Sequence, residues 1–551
     1  MKKKLLTLLA GLGLFISLMS FADYYFDISK NMDIFSSVFK DVNNYYVDDI
    51  EPSKLMRTGI DGMLKTLDPY TNYYSGSQIE NARIQQGGKF GGMGIEIEMM
   101  NGYPVITSVT QGQPADKAGM KVGDVIQMIG GASAKDRKKE DVDKILVGQP
   151  KAQITLSVER KVSMDETKIL PFVIALEEIQ ETSVPFSGMV TPEIGCIKLK
   201  IFNENAGRDV KAAFDSLKLA NPNMKGIILD LRSNPGGLLN EAVNIVNVFY
   251  GRNELVVNTK GKVAEWNNTF RTLNEPSDTK IPLVMITNSM SASASEIVSG
   301  TMQDYDRGVV IGQKTYGKGL VQTTRNLSYN TMLKVTIAKY YIPSGRCIQA
   351  INYAERNEDG SVKRVPDSLK VAFKTHNGRL VWDGGGVDPD VMLPKPEQSK
   401  VAAFLIEKHY PFQFATQYQM LHPSIEEPGR FKLTENDFNE FVIFLKHKDL
   451  SYKTETEEKL EALKNATKDE KYFDAVEVSY ESISKKLLAD KQNDLITHRD
   501  EIMHLLENEI VGRYYYAYGK VKKSYQNDTE VAKAIQLLNT PKEYQEILAG
   551  K

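Results

Sequence analysis

Between about residue 166 and residue 395, short apolar runs alternate with stretches of helical periodicity, a pattern that few folds accept. GCIKLKIF, KGIILDLR and IPLVMITN read as strands, while Val210 to Leu219, Leu239 to Phe249 and a serine-led stretch after Asn288 read as helices. That rhythm predicts an α/β core. The segment GGGVDPDVMLP, residues 384–394, reads as the chain crossing out of it.

The core cannot account for the whole of a 551-residue chain, which should divide into several units of ordinary domain size. The expected organisation is α/β multidomain. A helical segment over 23–85 shows periodicity at Ile34, Val38 and Val42 and again from Leu55 to Leu67, and Asp68-Pro69 ends its second helix. A small, mainly β module over 86–162 has period-two alternation and glycine punctuation. The core spans 163–395. A helical domain over 396–551, rich in Lys, Glu, Leu and Tyr, closes the chain.

Residues 1–22 carry a different signal. Lys2, Lys3 and Lys4 precede an uncharged apolar stretch from Leu5 to Phe21, and the small residues Ser20 and Ala22 suit cleavage after Ala22. This is a signal-peptide pattern and predicts export to the periplasm or cell envelope. The net charge of -2, with 69 basic against 71 acidic residues, gives no footprint for nucleic acid. Only Cys196 and Cys347 are present, and neither sits in a short-spaced motif, so two unpaired thiols are expected. No His/Cys/Asp/Glu grouping accompanies them at ligand spacing, and neither a metal nor a cofactor is expected.

The chemistry concentrates in IPLVMITNSMSASASEIVSGTMQDYDRGVVIGQKTYGKGLVQ, residues 281–322. No histidine occurs before His376, so a serine nucleophile in this segment must take its base elsewhere. Lys318, between Gly317 and Gly319, is the candidate, and it can serve only where burial lowers its pKa from about 10.4. Ser291, Ser293 and Ser295 compete for the nucleophile. Their simplest role is capping, because Ser293 and Glu296 have capping-box spacing. A strand turning into a helix, however, presents one side chain beside unpaired N–H groups, as nucleophile elbows do.

The string SASASEIVSG, with QDYDR and GQKTYGKGLVQ after it, closely resembles the carboxy-terminal processing peptidases, or tail-specific proteases. The resemblance covers most of residues 30–395 and includes LDLRSNPGG, YYIPSGR and GGGVDPDV; Tyr70 stands where many relatives carry histidine. It implies Ser293 as nucleophile, Lys318 as general base and Gln322 orienting the lysine. It also implies an oxyanion hole from Ala294 with Gly236 or Gly237, and Asp304 as a supporting acid.

KFGGMGIEI, followed by QPADKAGMKVGDVI, resembles the carboxylate-binding loop of a PDZ domain. There the N–H groups of Met93, Gly94 and Ile95 would hold a terminal carboxylate, and the peptide would add along the module's edge. The implied function is an exported serine endopeptidase that takes protein or peptide substrates by accessible apolar C-termini. An adaptor protein and self-association are compatible with it. The alternative is a non-catalytic envelope PDZ scaffold with a relic core. A lipase-like hydrolase is disfavoured, since no G-x-S-x-G motif is present.

Overall fold

The structure is a computed structural model that describes residues 25–76, 78–79, 89–163, 165–356, 362–491 and 493–551. The segment Met1 to Ala22, which carries the export reading, lies outside the described residues. The chain forms two compact units, the first comprising residues up to Ile79 together with Gln322–Thr336 and the second the remainder.

In the first unit, residues 25–45 are helical and Pro52–Lys65 is a second helix, both where periodicity places them. The Asp68 carboxylate accepts the N–H groups of Tyr70 and Thr71, each at 2.8 Å, and so stops the chain from continuing as a helix. Beyond Thr71 the expected helical segment gives way to a strand. Asn72–Ser75 runs antiparallel to a stretch that sets Lys334 opposite Asn72 and Thr331 opposite Ser75. Tyr73 and Tyr74 favour a strand, but their partner lies far along the chain, where local periodicity cannot find it.

The second unit contains a six-stranded sheet in the order Phe186–Thr191, Ile194–Lys198, Gly226–Asp230, Leu283–Thr287, Val309–Gly312, Val391–Met392. The first pair is antiparallel and every later pair parallel. Gly226–Asp230 and Leu283–Thr287 are buried at every position, which is why their sequences are almost wholly apolar. Ile197, Leu229, Met285 and Val310 share a core with the helices Ala206–Ala220, Leu239–Phe249 and Ala294–Asp304. Cys196, Ile228, Val284 and Ile311 share another with Val531, Leu537, Leu538, Tyr544 and Leu548 from the helices Thr529–Leu538 and Pro541–Leu548. The last helices of the chain therefore cover one side of the core sheet. Nor does residue 391 leave the core: Val391–Met392 pairs with Ile311 and Gly312 as the sheet's last strand, because a parallel neighbour satisfies backbone groups that an exit would leave open.

The β module is a sheet in the order Ile95–Met100, Tyr103–Val109, Val125–Ile129, Gln153–Lys161, Thr167–Ala175. It runs on past residue 162, since Thr167–Ala175 pairs along its whole length with Gln153–Lys161. Ile95–Met100 is an edge strand, and the helix Lys139–Leu146 buries Val142 and Leu146 in the same core as Met93 and Ile97.

The helical region has its own core, built on Phe404, Phe414, Phe441, Ile502, Leu506 and Ile510. Its longest helix, Arg499–Ser524, is broken at Tyr515 and Tyr516; Tyr516 takes φ 54° and its hydroxyl donates to Asp116 of the β module at 2.8 Å. Both cysteines are free, as expected, with Cys196 buried. Among the described residues no helix is long and apolar enough to cross a membrane.

Candidate active site

The strand Leu283–Thr287 delivers the chain to a turn over 288–292, and the helix Ala294–Asp304 takes it away. Ser293 stands between them with φ 58° and ψ -114°, a backbone state that an L-residue holds only when its surroundings impose it. A latch of hydrogen bonds to the loop after Gly226–Asp230 imposes it. The Ser291 hydroxyl donates to Leu231 O (2.9 Å) and accepts from Asn288 N–H (3.0 Å). Asn234 O receives both Ala292 N–H and the Ser295 hydroxyl, each at 3.0 Å.

Those bonds separate the three serines. Ser291 and Ser295 are fully buried and their hydroxyls are committed to backbone carbonyls, whereas Ser293 is partly exposed at the apex of the turn. The sequence pattern treats the three alike; burial does not.

The loop glycines lie against this apex. Gly236 has φ 98°, and a Cβ added there would come within 2.7 Å of Ser293 Cβ and 2.9 Å of Ala294 N, so only glycine lets the loop approach so closely. The Gly236 N–H is itself taken by Asn234 Oδ1 at 2.8 Å, and the fully buried Asn234 amide donates to Leu199 O at 2.9 Å. Gly237 is held by the bonds on either side of it, from Phe202 N–H to Gly236 O and from Leu238 N–H to Phe202 O, neither of which uses its own N–H.

Glu296 joins the serine turn to the lysine loop. Its fully buried carboxylate accepts Ser293 N–H (2.7 Å) and Lys318 N–H (2.9 Å) on Oε2, and Gly317 N–H (2.7 Å) and the Thr315 hydroxyl (2.6 Å) on Oε1. Burial outweighs these four donors and pushes the carboxyl up to about 7. Four donors on two oxygens match what an ionised carboxylate can accept, and the first turn of a helix favours negative charge. Lys318 is half-buried. Its flanking glycines are required sterically, because a Cβ on Gly317 would lie 2.3 Å from Ala350 Cβ and one on Gly319 would lie 2.9 Å from Gln349 N.

Asp304 closes the serine-led helix at the end away from Ser293, roughly 15 Å along its axis. Its buried carboxylate pairs with Arg346 at 2.9 Å and accepts Ser344 N–H at 2.9 Å, so it fixes the YYIPSGR turn and not the serine. Gln322 belongs to the first unit, where its amide donates to the Thr336 hydroxyl at 3.2 Å. In the β module Gly94 has φ 79°, and a Cβ there would meet Gln113 Cβ at 2.4 Å. Met93 is buried, its carbonyl accepts Ala115 N–H, and Ile95 opens the edge strand.

A second buried cluster lies on the approach to the Gly236–Gly237 loop. Asp230 accepts from Arg232 Nε (2.9 Å) and Nη2 (2.8 Å), Lys198 Nζ (3.1 Å) and the Tyr525 hydroxyl (2.7 Å). Burial alone would raise its carboxyl, but Arg232 and Lys198 outweigh that and hold it well below the usual carboxylate range. Arg232 Nη1 reaches on to Asp528 (2.6 Å) and Glu530 (2.7 Å), and Asp528 caps Thr529–Leu538. In the sequence, LDLR stands out only as part of a motif and Glu296 only as a capping partner. A charged residue inside an apolar run is the signal both carry.

An α/β core with a strained serine turn, coupled to a β module with a glycine-opened edge strand, defines a PDZ-bearing serine hydrolase. Sequence profiles agree: that of Peptidase family S41 matches residues 193–355, that of a PDZ domain 91–170, and one described as the C-terminal helical domain of a probable PDZ-protease 401–538. The carboxy-terminal-processing protease of Bartonella bacilliformis is 35% identical over 327 residues, which is 58% of this chain and 73% of that protein. A probable CtpA-like serine protease of Staphylococcus aureus is 35% identical over 322 residues, 58% of this chain and 63% of that one. Among solved structures, the photosystem II D1 C-terminal processing protease is similar at 25% identity over 65% of this chain and 92% of that one, with a TM-score of 0.34. The chain belongs to peptidase family S41, the carboxy-terminal-processing proteases, and is a serine protease with a PDZ domain.

Proposed function

We propose that this chain is an exported endopeptidase that cleaves proteins held by their C-terminal tails, with Ser293 as nucleophile and Lys318 as general base. The observation that carries the reading is the isolation of Ser293: it alone of three clustered serines keeps its hydroxyl out of the buried latch, on a strained turn tied by Glu296 to the lysine loop.

Neutral Lys318 Nζ takes the hydroxyl proton as Ser293 Oγ attacks the scissile carbonyl, and the ammonium then gives that proton to the leaving amine. Water attacks the resulting ester, its proton going to Nζ and then back to Ser293 Oγ as the acid product leaves. The amides of Gly237 and Ala294 hold the oxyanion. Gly237 is favoured over Gly236, whose N–H is spent on Asn234.

In the PDZ domain, the N–H groups of Met93, Gly94 and Ile95 take the substrate's terminal carboxylate, and the tail adds to the edge strand Ile95–Met100. Lys2 to Lys4 and the apolar stretch after them direct export. The test is peptide binding and cleavage with an apolar tail ending in a free carboxylate or in an amide. Amidation is expected to weaken binding at least about tenfold, roughly the loss of one charge-assisted hydrogen bond. Gly94→Val should do the same to the carboxylate peptide, through its Cβ clash and its positive φ. Equal binding of the two peptides would refute tail recognition.

A further inference from the structure

Glu296 collects the N–H groups of Ser293 and Lys318, and the carbonyls of the same two residues are also joined. The Tyr340 hydroxyl lies 3.1 Å from Ser293 O and in hydrogen-bond contact with Lys318 O, so one phenolic proton is shared between the two carbonyls. Tyr340 is 1% exposed and sits in the strand Thr331–Tyr341, where Thr259 is its partner across the sheet. Its own N–H donates to Gly319 O at 3.0 Å, which fastens the residue after the lysine to the same strand.

We infer that Tyr340 and Glu296 are positioning residues, forming a two-sided clamp that fixes the backbones of Ser293 and Lys318 relative to each other. This inference rests on the Ser293/Lys318 reading. Both act through the backbone groups of Ser293 and Lys318. The lysine stands on a loop flanked by glycines, and the serine on a turn with a strained φ, so neither segment holds its own position. Two bonds to one carboxylate oxygen and two from one hydroxyl replace that missing stiffness. A mutual shift of about 1 Å between nucleophile and base is enough to cost on the order of a hundredfold in rate.

The test compares Tyr340→Phe with Tyr544→Phe in the full chain. Tyr544 is an equally suitable buried phenol: it is 3% exposed, and its hydroxyl bridges the Leu283 N–H and carbonyl on the sheet side away from the serine-led helix. Both substitutions remove one hydroxyl and leave the ring in place. Tyr340→Phe is expected to lower kcat about 10- to 100-fold with KM nearly unchanged, whereas Tyr544→Phe lowers the melting temperature and leaves kcat alone. Glu296→Gln, which keeps the size of the side chain but swaps an acceptor oxygen for an amide donor, should reproduce the kcat loss even if Tyr340→Phe folds poorly.

If the two phenylalanine variants lose stability alike and keep kcat, or if kcat falls in both only in step with the folded fraction, Tyr340 is structural and the clamp is wrong. Ser293→Ala and Lys318→Arg, assayed beside them, separate the two failures. Activity surviving in those variants sinks the dyad, while activity lost in them and kept in Tyr340→Phe and Glu296→Gln sinks only the clamp.

Discussion

Ser293→Ala is expected to bring cleavage of an unfolded reporter with an apolar C-terminal tail to background, a loss of at least about a thousandfold. Ser291→Ala and Ser295→Ala should instead keep a measurable fraction of activity and lose stability. Each removes a buried hydroxyl bonded to a loop carbonyl, at a cost of about 1–3 kcal/mol. Lys318→Arg should be as inactive as Ser293→Ala, since a guanidinium stays protonated at neutral pH and cannot accept the serine proton. Initial rates for the four variants, scaled to folded protein, decide the matter. Substantial turnover in Ser293→Ala would move the nucleophile elsewhere.

Arg232→Ala is expected to cost the most stability of any single substitution considered, about 3–5 kcal/mol. The change leaves the fully buried Asp230 with only Lys198 as a cation, and strips Asp528 and Glu530 of their shared partner. The direction of the Asp230 shift sets the sign with pH. Its carboxyl is depressed in the folded protein, so the stability it contributes is present above the ordinary carboxylate pKa of about 4 and fades as pH falls below that value. Parent and variant melting curves should therefore converge in acid. A gap that stayed constant from neutral pH into strong acid would mean that the arginine acts by packing and not by charge.

How much of the fold and site is legible in the sequence depends on the range of the interactions. The strands GIILD and LVMIT and the helix after them are readable because burial on both faces writes itself into consecutive residues. The PDZ module is readable from its glycines, and Gly94 does take the positive φ that the loop requires. By contrast, the strand at Asn72–Ser75 and the sheet-closing Val391–Met392 owe their conformation to partners distant in sequence, and local pattern misassigns both. Within the site, the capping-box spacing of Ser293 and Glu296 reads as a rival to a catalytic role. The structure shows the cap and the candidate nucleophile in one residue, because the carboxylate that caps Ser293 N–H also takes up the lysine loop. Nothing in sequence spacing could reveal Tyr340, since its hydroxyl reaches both segments only after the sheet has formed.

The helices Thr529–Leu538 and Pro541–Leu548 give the core sheet its second cover, although its strands begin at Phe186. Synthesis from the N-terminus thus delivers this cover only after Ser293, Lys318 and all six strands have been made. Contacts this distant in sequence close slowly. Until those helices are in place, Ile228, Val284 and Ile311 lack their apolar cover and Arg232 lacks its Asp528 and Glu530 anchors.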